Sequence, residues 1–315
     1  MARVAVVSNP LSGRNRRDPA LSPALRAVTE PHHLFFDPAS PQAIDAVAAE
    51  LRQAGDIDVV CVNGGDGTLA HVLSALARTW GEDPLPEIGI LRGGTMNTIA
   101  HGIGLTGRPE KILGRILARS EGQISQPTVV RHLMRVRDGL GPERYGFLFG
   151  NGVISNFLEA YYEGGDPSPW KGFKVLARAT LSALFGGGFA ARLTRPSPVR
   201  VSLDGTHWSP SSWMAVTAGT VDDMGLGFKP FWSVVGHPGR LQVLGFACSA
   251  PTLAMRIPGT LLARPWHHPD ILDQLGQRLV LQADEPISYM IEGDFHRGGQ
   301  QVEVSIGPPV RLIRR

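Results

Sequence analysis

Residues 58–79, DVVCVNGGDGTLAHVLSALART, pass from an apolar β-branched run straight into a stretch of helical period, and the turn between is Gly64, Gly65, Asp66, Gly67 and Thr68. Few folds accommodate this. The run reads as a buried strand, the 3.6-residue spacing after it as a helix, and a bare glycine turn exposes backbone amides at the helix start. The alternation continues on both sides. RVAVVSN, SPALRAVTE, HHLFF, PQAIDAVAAELRQAG, EIGILRGG and MNTIAHGIG complete an order that predicts an α/β domain over residues 1–127, a parallel sheet with helices on its faces. Ligands of such sheets lie beyond the carboxyl ends of the strands. Here those ends are SNPLSGR, NGGDGT and RGGTMN, the spots of this half richest in glycine and hydroxyl groups.

From residue 128 the pattern changes to short runs separated by turns: VVRHLMRVRDG, RYGFLFGNG, VRVSLDGTHW, SWMAVTAGT, RLQVLGF, QRLVLQAD, PISYMIEGD and QQVEVSIG. This predicts an antiparallel β-sandwich or barrel over residues 128–315, with the last strand free to return to the first domain. Asp204-Gly205 marks a two-residue hairpin. One interruption, residues 170–193, is helical in period and apolar on one side, with Lys171, Lys174, Arg178 and Arg192 around it. It suits packing on the sandwich, or resting on an anionic bilayer.

The net charge of +3 favours anionic partners. No zinc finger, basic zipper or aromatic-plus-basic sheet motif is present, so nucleic acid is not the expected partner. No run reaches the roughly 18 apolar residues of a spanning helix, and the apolar stretch of MARVAVVSNP is too short for a signal peptide, so a cytoplasmic protein with no integral membrane segment is expected. Cys61 and Cys248, far apart in apolar surroundings, read as buried thiols. His32-His33 and His267-His268 lack further ligands at metal spacing and are expected at the surface. GIGLTG, residues 102–107, satisfies GxGxxG but follows a helix, and reads as a helix-ending turn. His71 and His101 fall early in helices beside the glycine loops.

In NGGDGT the glycines let amides approach phosphate oxygens, and Thr68 adds a hydroxyl. Asp66 is negative and does not itself bind phosphate. Its uses are to hold a magnesium ion, to steer a hydroxyl being phosphorylated, or simply to cap the helix that follows. SNPLSG closes the first strand and RGGTMN a later one, so three such turns share one sheet edge.

NPLSG, GGDGT and GGTMN, in this order and spacing, resemble the catalytic domain shared by diacylglycerol kinases, sphingosine kinases, ceramide kinases and soluble bacterial lipid kinases. FLFGNGVISNFLEAYYE is similar to that family's post-linker strand and helix, and YMIEGDFHRGGQQVEVSIGPPVRLI to its closing segment. The resemblance implies an ATP site between two domains, with Asn9, Pro10, Ser12, Gly13, Gly64, Gly65, Asp66, Gly67, Thr68, Thr95 and Asn97 at the nucleotide and Asp66 reaching Mg2+ through it. It implies a lipid hydroxyl as acceptor, on diacylglycerol, ceramide or a sphingoid base, and a protein that associates peripherally with the membrane; a homodimer is left open. The family carries a DGE tripeptide whose Glu acts as base. This chain reads Glu292-Gly293-Asp294, which places Asp294 in the base position with a side chain one methylene shorter, and leaves Asp66 as the other catalytic candidate.

Three positions depart from the family pattern. Thr98 stands where the family's GTxND has Asp, LRGGT lacks the usual proline of PxxGT, and HPGRL puts Pro238 in a segment that in relatives holds a structural magnesium, so that accessory ion is not expected. Two rival readings remain. NAD kinases also carry GGDGT, but their glycine-rich loop ending in GFL and their NE-containing helix are missing. A degenerate module that binds nucleotide or lipid without turnover is the other, motivated by Pro238, Thr98 and the swapped EGD.

Overall fold

The computed structural model describes residues 2–30, 32–156, 182, 194–225 and 227–314. The 170–193 stretch, Ser182 apart, and the end of FLFGNGVISNFLEAYYE lie outside the described residues. The chain divides into two compact units, Met1–Arg131 with Pro308–Arg315, and His132–Gly307.

In the first unit β1 (Arg3–Ser8), α1 (Gly13–Arg17), α2 (Leu21–Thr29), β2 (Leu34–Phe36), α3 (Pro41–Ala54), β3 (Ile57–Asn63), α4 (Asp66–Trp80), β4 (Glu87–Ile90), α5 (Thr98–Gly102) and α6 (Pro109–Ser120) follow one another. The strands pair in parallel in the order β2-β1-β3-β4. Val4 to Val7 and Val59 to Val62 are buried on both faces, which is why these strands read as unbroken apolar runs rather than alternating ones. α3 packs with α4 and α2 with α6. Local signals set the ends of α3: the Ser40 hydroxyl accepts from Ala43 N, Pro41 occupies the first turn, and Gly55 ends the helix at φ 77°. The structure adds α1 and α6 to the expected order. GRNRR has no apolar stripe to betray a helix, whereas α6 buries Ile112, Leu113, Ile116 and Leu117 on one side.

The chain then runs through β5 (Thr128–Arg137), β6 (Arg144–Gly146), β7 (Leu148–Gly152), β8 (Arg200–Leu203), β9 (Thr206–His207), β10 (Ala215–Gly219), β11 (Leu241–Phe246), α7 (Ala250–Thr260), β12 (Ile271–Gly276), β13 (Arg278–Gln282), β14 (Ser288–Ile291), β15 (Asp294–Arg297) and β16 (Gln301–Ile313). In the second unit one antiparallel sheet has the order β12-β11-β10-β7-β14-β15. Opposite it, β16, β13, β8 and β9 pair antiparallel in that order, and β5 pairs with β16 and β6. Phe149, Leu203, Trp213, Leu279, Tyr289 and Val304 belong to the core they enclose. The far end of β16 belongs to the first unit, where Leu312 lies parallel to Ile88 of β4. The Asp204-Gly205 hairpin forms as expected, with φ of 50° and 84° and Leu203 opposite Thr206.

RYGFLFGNG, read as one run, is two strands. β6 pairs with β5, while β7 pairs with β10 and β14 in the other sheet, and the chain changes sheets at Phe147. A strand that changes partners leaves amides without a ladder. The buried Glu292 carboxylate fills the gap: its Oε1 accepts from Phe147 N and, at 2.8 Å, from Leu148 N. Glu292→Ala strands both amides, and we expect it to lower the unfolding free energy by about 3 kcal/mol in urea titration. Glu292→Gln, which keeps a carbonyl acceptor, should lose clearly less.

Candidate functional site

The three glycine-rich loops of the first unit are locked together. Asn9 N donates to Asn63 O (2.9 Å) and Asn9 Nδ2 to Thr68 Oγ1 (2.9 Å), tying the first loop to the second. Ser12 Oγ and Arg14 N both donate to Gly93 O (3.0 Å each), tying the first to the third. The second and third meet backbone to backbone, for a Cβ on Gly94 would collide with Gly65 Cα. Gly13 is pressed on Thr95 in the same way, where a Cβ would strike Oγ1. Pro10 sits inside a turn closed by Leu11 N donating to Asn9 Oδ1 (2.9 Å). Asn97, in left-handed backbone at φ 53°, folds its own loop: Oδ1 accepts from Gly94 N (3.1 Å) and Nδ2 donates to Gly94 O (3.0 Å).

Beneath the loops lies a polar floor that the motifs do not announce. Asn63 is fully buried at the end of β3; its Nδ2 donates to Ser8 Oγ (3.0 Å) and Asn15 Oδ1 (3.1 Å), and Asn15 Nδ2 reaches Asn9 O (2.6 Å). Asn63 Oδ1 has no hydrogen-bond partner among the described residues. The available signal was a carboxamide ending an otherwise apolar buried strand, next to the glycines already singled out.

α4 begins at Asp66 with Gly65 as its N-cap and no side-chain cap, so the amides of its first turn are left to another acceptor. Asp66 is therefore not the cap of its own helix. Its carboxylate crosses to α5 and accepts from Thr98 N, from the Thr98 hydroxyl and, more distantly at 3.5 Å, from Ile99 N. Burial pushes this carboxyl above the ordinary aspartate range, and those donors together with His101 offset only part of the rise. The departure at Thr98 now has a physical sense, because a second carboxylate there would repel Asp66 where threonine donates twice. His101 is exposed, and its Nε2 lies 3.2 Å from Arg92 Nη2. Arg14 Nη1 approaches Arg92 O at 3.4 Å, which puts a guanidinium beside the third loop.

One expectation, a surface position for His33, needs correction. His33 is buried, its Nδ1 accepting from Val4 N (3.2 Å), and burial lowers its pKa. Pro238 sits in a turn closed by Arg240 N on His237 O (3.2 Å). Cys61 and Cys248 are free buried thiols, and burial pushes Cys61 up to about 12. Among the described residues no group of three or more His, Cys, Asp or Glu is placed to hold a metal ion, and no helix is long and apolar enough to cross a membrane.

In the second unit, Glu292 (φ 51°) and Gly293 (φ 86°) form the turn between β14 and β15, and Asp294 opens β15 opposite Ile291. Taken alone, this stretch reads as a hairpin with two solvated acids. The hairpin forms, but Glu292 is buried and committed to the β7 backbone. Asp294 is the half-buried carboxylate of the pair.

A parallel α/β unit with interlocked glycine loops, followed by an antiparallel sandwich, is the fold of a crystal structure of a diacylglycerol kinase from Bacillus anthracis str. Sterne, matched with a TM-score of 0.65 over 100% of this chain and 97% of that one at 16% identity. Residues 3–128 match the family model described as "Diacylglycerol kinase catalytic domain". Among curated relatives, the diacylglycerol kinase of Mycobacterium tuberculosis (strain ATCC 25618 / H37Rv) is 28% identical over 215 residues, 66% of this chain and 61% of that protein. The diacylglycerol kinase of Bacillus subtilis (strain 168) is 30% identical over 106 residues, 33% of this chain and 34% of that protein. The chain thus spans about three fifths of the length of the mycobacterial relative.

Gly94→Ala has to push the second and third loops apart, and should lower the thermal unfolding midpoint by roughly 2–4 °C or more while far-ultraviolet circular dichroism at 25 °C is unchanged. A carboxyl raised by folding adds stability that is complete below its unfolded pKa and is lost as pH rises through its folded value. The urea midpoint should accordingly fall across the window just above the ordinary aspartate range, and Asp66→Asn should flatten that slope.

Proposed function

We propose that the chain is a lipid kinase, moving the γ-phosphoryl group of ATP to the hydroxyl of a lipid. One observation carries this reading above the rest: three loops matching a diacylglycerol kinase catalytic domain are locked together, the second and third glycine to glycine, beside the uncapped N-terminus of α4. Such a surface suits a polyphosphate. The first turn of α4 has no side-chain cap, no Cβ intrudes at Gly13, Gly65 or Gly94, and Arg14 adds a positive charge. In this reading Asn9, Pro10, Ser12, Gly13, Gly64, Gly65, Gly67, Thr68, Thr95 and Asn97 shape the nucleotide site.

Asp66 holds α5 through Thr98, and so keeps the third loop in register with α4. With its carboxylate turned to those donors it suits a role beside the triphosphate better than that of a dedicated metal ligand. Mg2+ would arrive on the nucleotide, where it offsets phosphate charge. Asp294, the carboxylate of EGD not tied to the β7 backbone, is assigned as the base that takes the proton of the lipid hydroxyl. Diacylglycerol is the first acceptor to test, since both relatives carry that name, with ceramide and sphingoid bases after it. Such a substrate brings the protein to a membrane surface.

The test is transfer of radiolabelled phosphate from ATP to lipids in mixed micelles. Asp294→Asn should reduce the rate about a hundredfold or more with nucleotide binding retained, and Asp66→Ala should reduce both rate and nucleotide affinity. Undiminished transfer in both variants would remove these assignments, and no transfer by the unaltered protein to any of the lipids would remove the kinase itself.

A further inference from the structure

α7 carries its apolar side chains the opposite way round from a helix of a water-facing unit. Ala254 and Thr260 are its buried residues, whereas Pro251, Met255, Pro258 and Leu262 are exposed. Spacings of four and three put Pro251, Met255 and Pro258 on one face of the helix, and Leu262 follows in the turn beyond it. Met255 and Leu262 leave 67% and 65% of their surface open, and Leu261 beside them 51%. The turn after α7 is ordered, with Leu262 N on Gly259 O and Ala263 N on Thr260 O (3.1 Å each). The helix is also anchored: Lys229 N donates to Thr260 O (3.0 Å), Trp266 Nε1 donates to Pro230 O (3.0 Å), and Trp266 packs edge-on against Phe246 at 5.0 Å.

Charge selects what meets this face. The cations at this face are Arg256 and Arg264; of the two other Lys or Arg residues between Asp223 and Asp270, Lys229 pairs with Asp222 (3.1 Å) and Arg240 approaches Asp204 (4.0 Å). Arg256 lies within α7 and Arg264 is exposed just beyond Leu262, and among the described residues neither forms an ion pair with an acid. A second copy meeting this face symmetrically would set Arg256 and Arg264 against their own counterparts. An acidic protein surface would answer the arginines and leave the apolar stripe facing polar groups. A bilayer with anionic headgroups satisfies both, taking the stripe among its acyl chains and the guanidiniums among its phosphates.

We propose that α7 and the Leu261-Leu262 turn form a docking face for an anionic lipid bilayer. This deepens the lipid kinase reading, on which its purpose rests, by giving the enzyme a fixed foothold where its substrate is embedded; the binding itself is tested separately.

The full chain is sedimented with phosphatidylcholine vesicles with and without phosphatidylglycerol. The unaltered protein should sediment with the anionic vesicles and much less with the neutral ones. Met255→Asp with Leu262→Asp should abolish sedimentation, and Arg256→Gln with Arg264→Gln should weaken it about 25-fold, some fivefold per charge. Thermal unfolding and transfer to micelle-dispersed diacylglycerol should be unchanged in both. Equal binding by the Met255 and Leu262 variant, or no binding by the unaltered protein, overturns the proposal. So does a variant that keeps vesicle binding but turns from dimer to monomer in sedimentation velocity, which would give the face to a second copy. If no lipid accepts phosphate yet these substitutions still release the protein from vesicles, the kinase reading fails and the docking face stands.

Discussion

The close approach of Gly94 to Gly65 is the contact on which the rest of the site depends. Gly94 has no room for a Cβ against the Gly65 backbone, and the approach lets one loop brace the next. Asn9, Ser12 and Arg14 then have carbonyls and hydroxyls within reach, and the polar floor of Asn63, Asn15 and Ser8 satisfies the backbone from below. What results is a set of loops held to one another and to the strand ends by hydrogen bonds.

Asp66 illustrates how a carboxylate in such a place is steadied. A negative side chain at the start of α4 competes with any phosphate for the same helix end. The structure resolves the competition by turning that carboxylate sideways to α5, where Thr98 supplies two donors. A position that looks like a loss against the family pattern is therefore matched to its partner, and the two are best understood as a pair.

Much of this was legible in the sequence. Unbroken apolar runs ahead of glycine turns announced β1, β3 and β4, short runs separated by turns announced the antiparallel sheets, and topology alone brought the three loops to one edge. The rest was hidden for identifiable reasons. α1 is short and has no apolar stripe. α7 was passed over because its exposed side is apolar, so the usual contrast of faces is missing. Glu292 looked like a solvated turn residue because its partners, Phe147 and Leu148, stand some 145 positions away. Asn15 and Asn63 carry no motif of their own and show their use only when two loops close over them.

β16 has a consequence for how the molecule comes into being. Its first residues pair with β13, and its last lie beside β4. A ribosome delivers β4 long before the strand that flanks it, so the parallel sheet waits with an open border while the entire sandwich is synthesised. During that interval the nascent α/β unit is open to pairing with the wrong strand, and its sheet is completed only when the far end of β16 arrives.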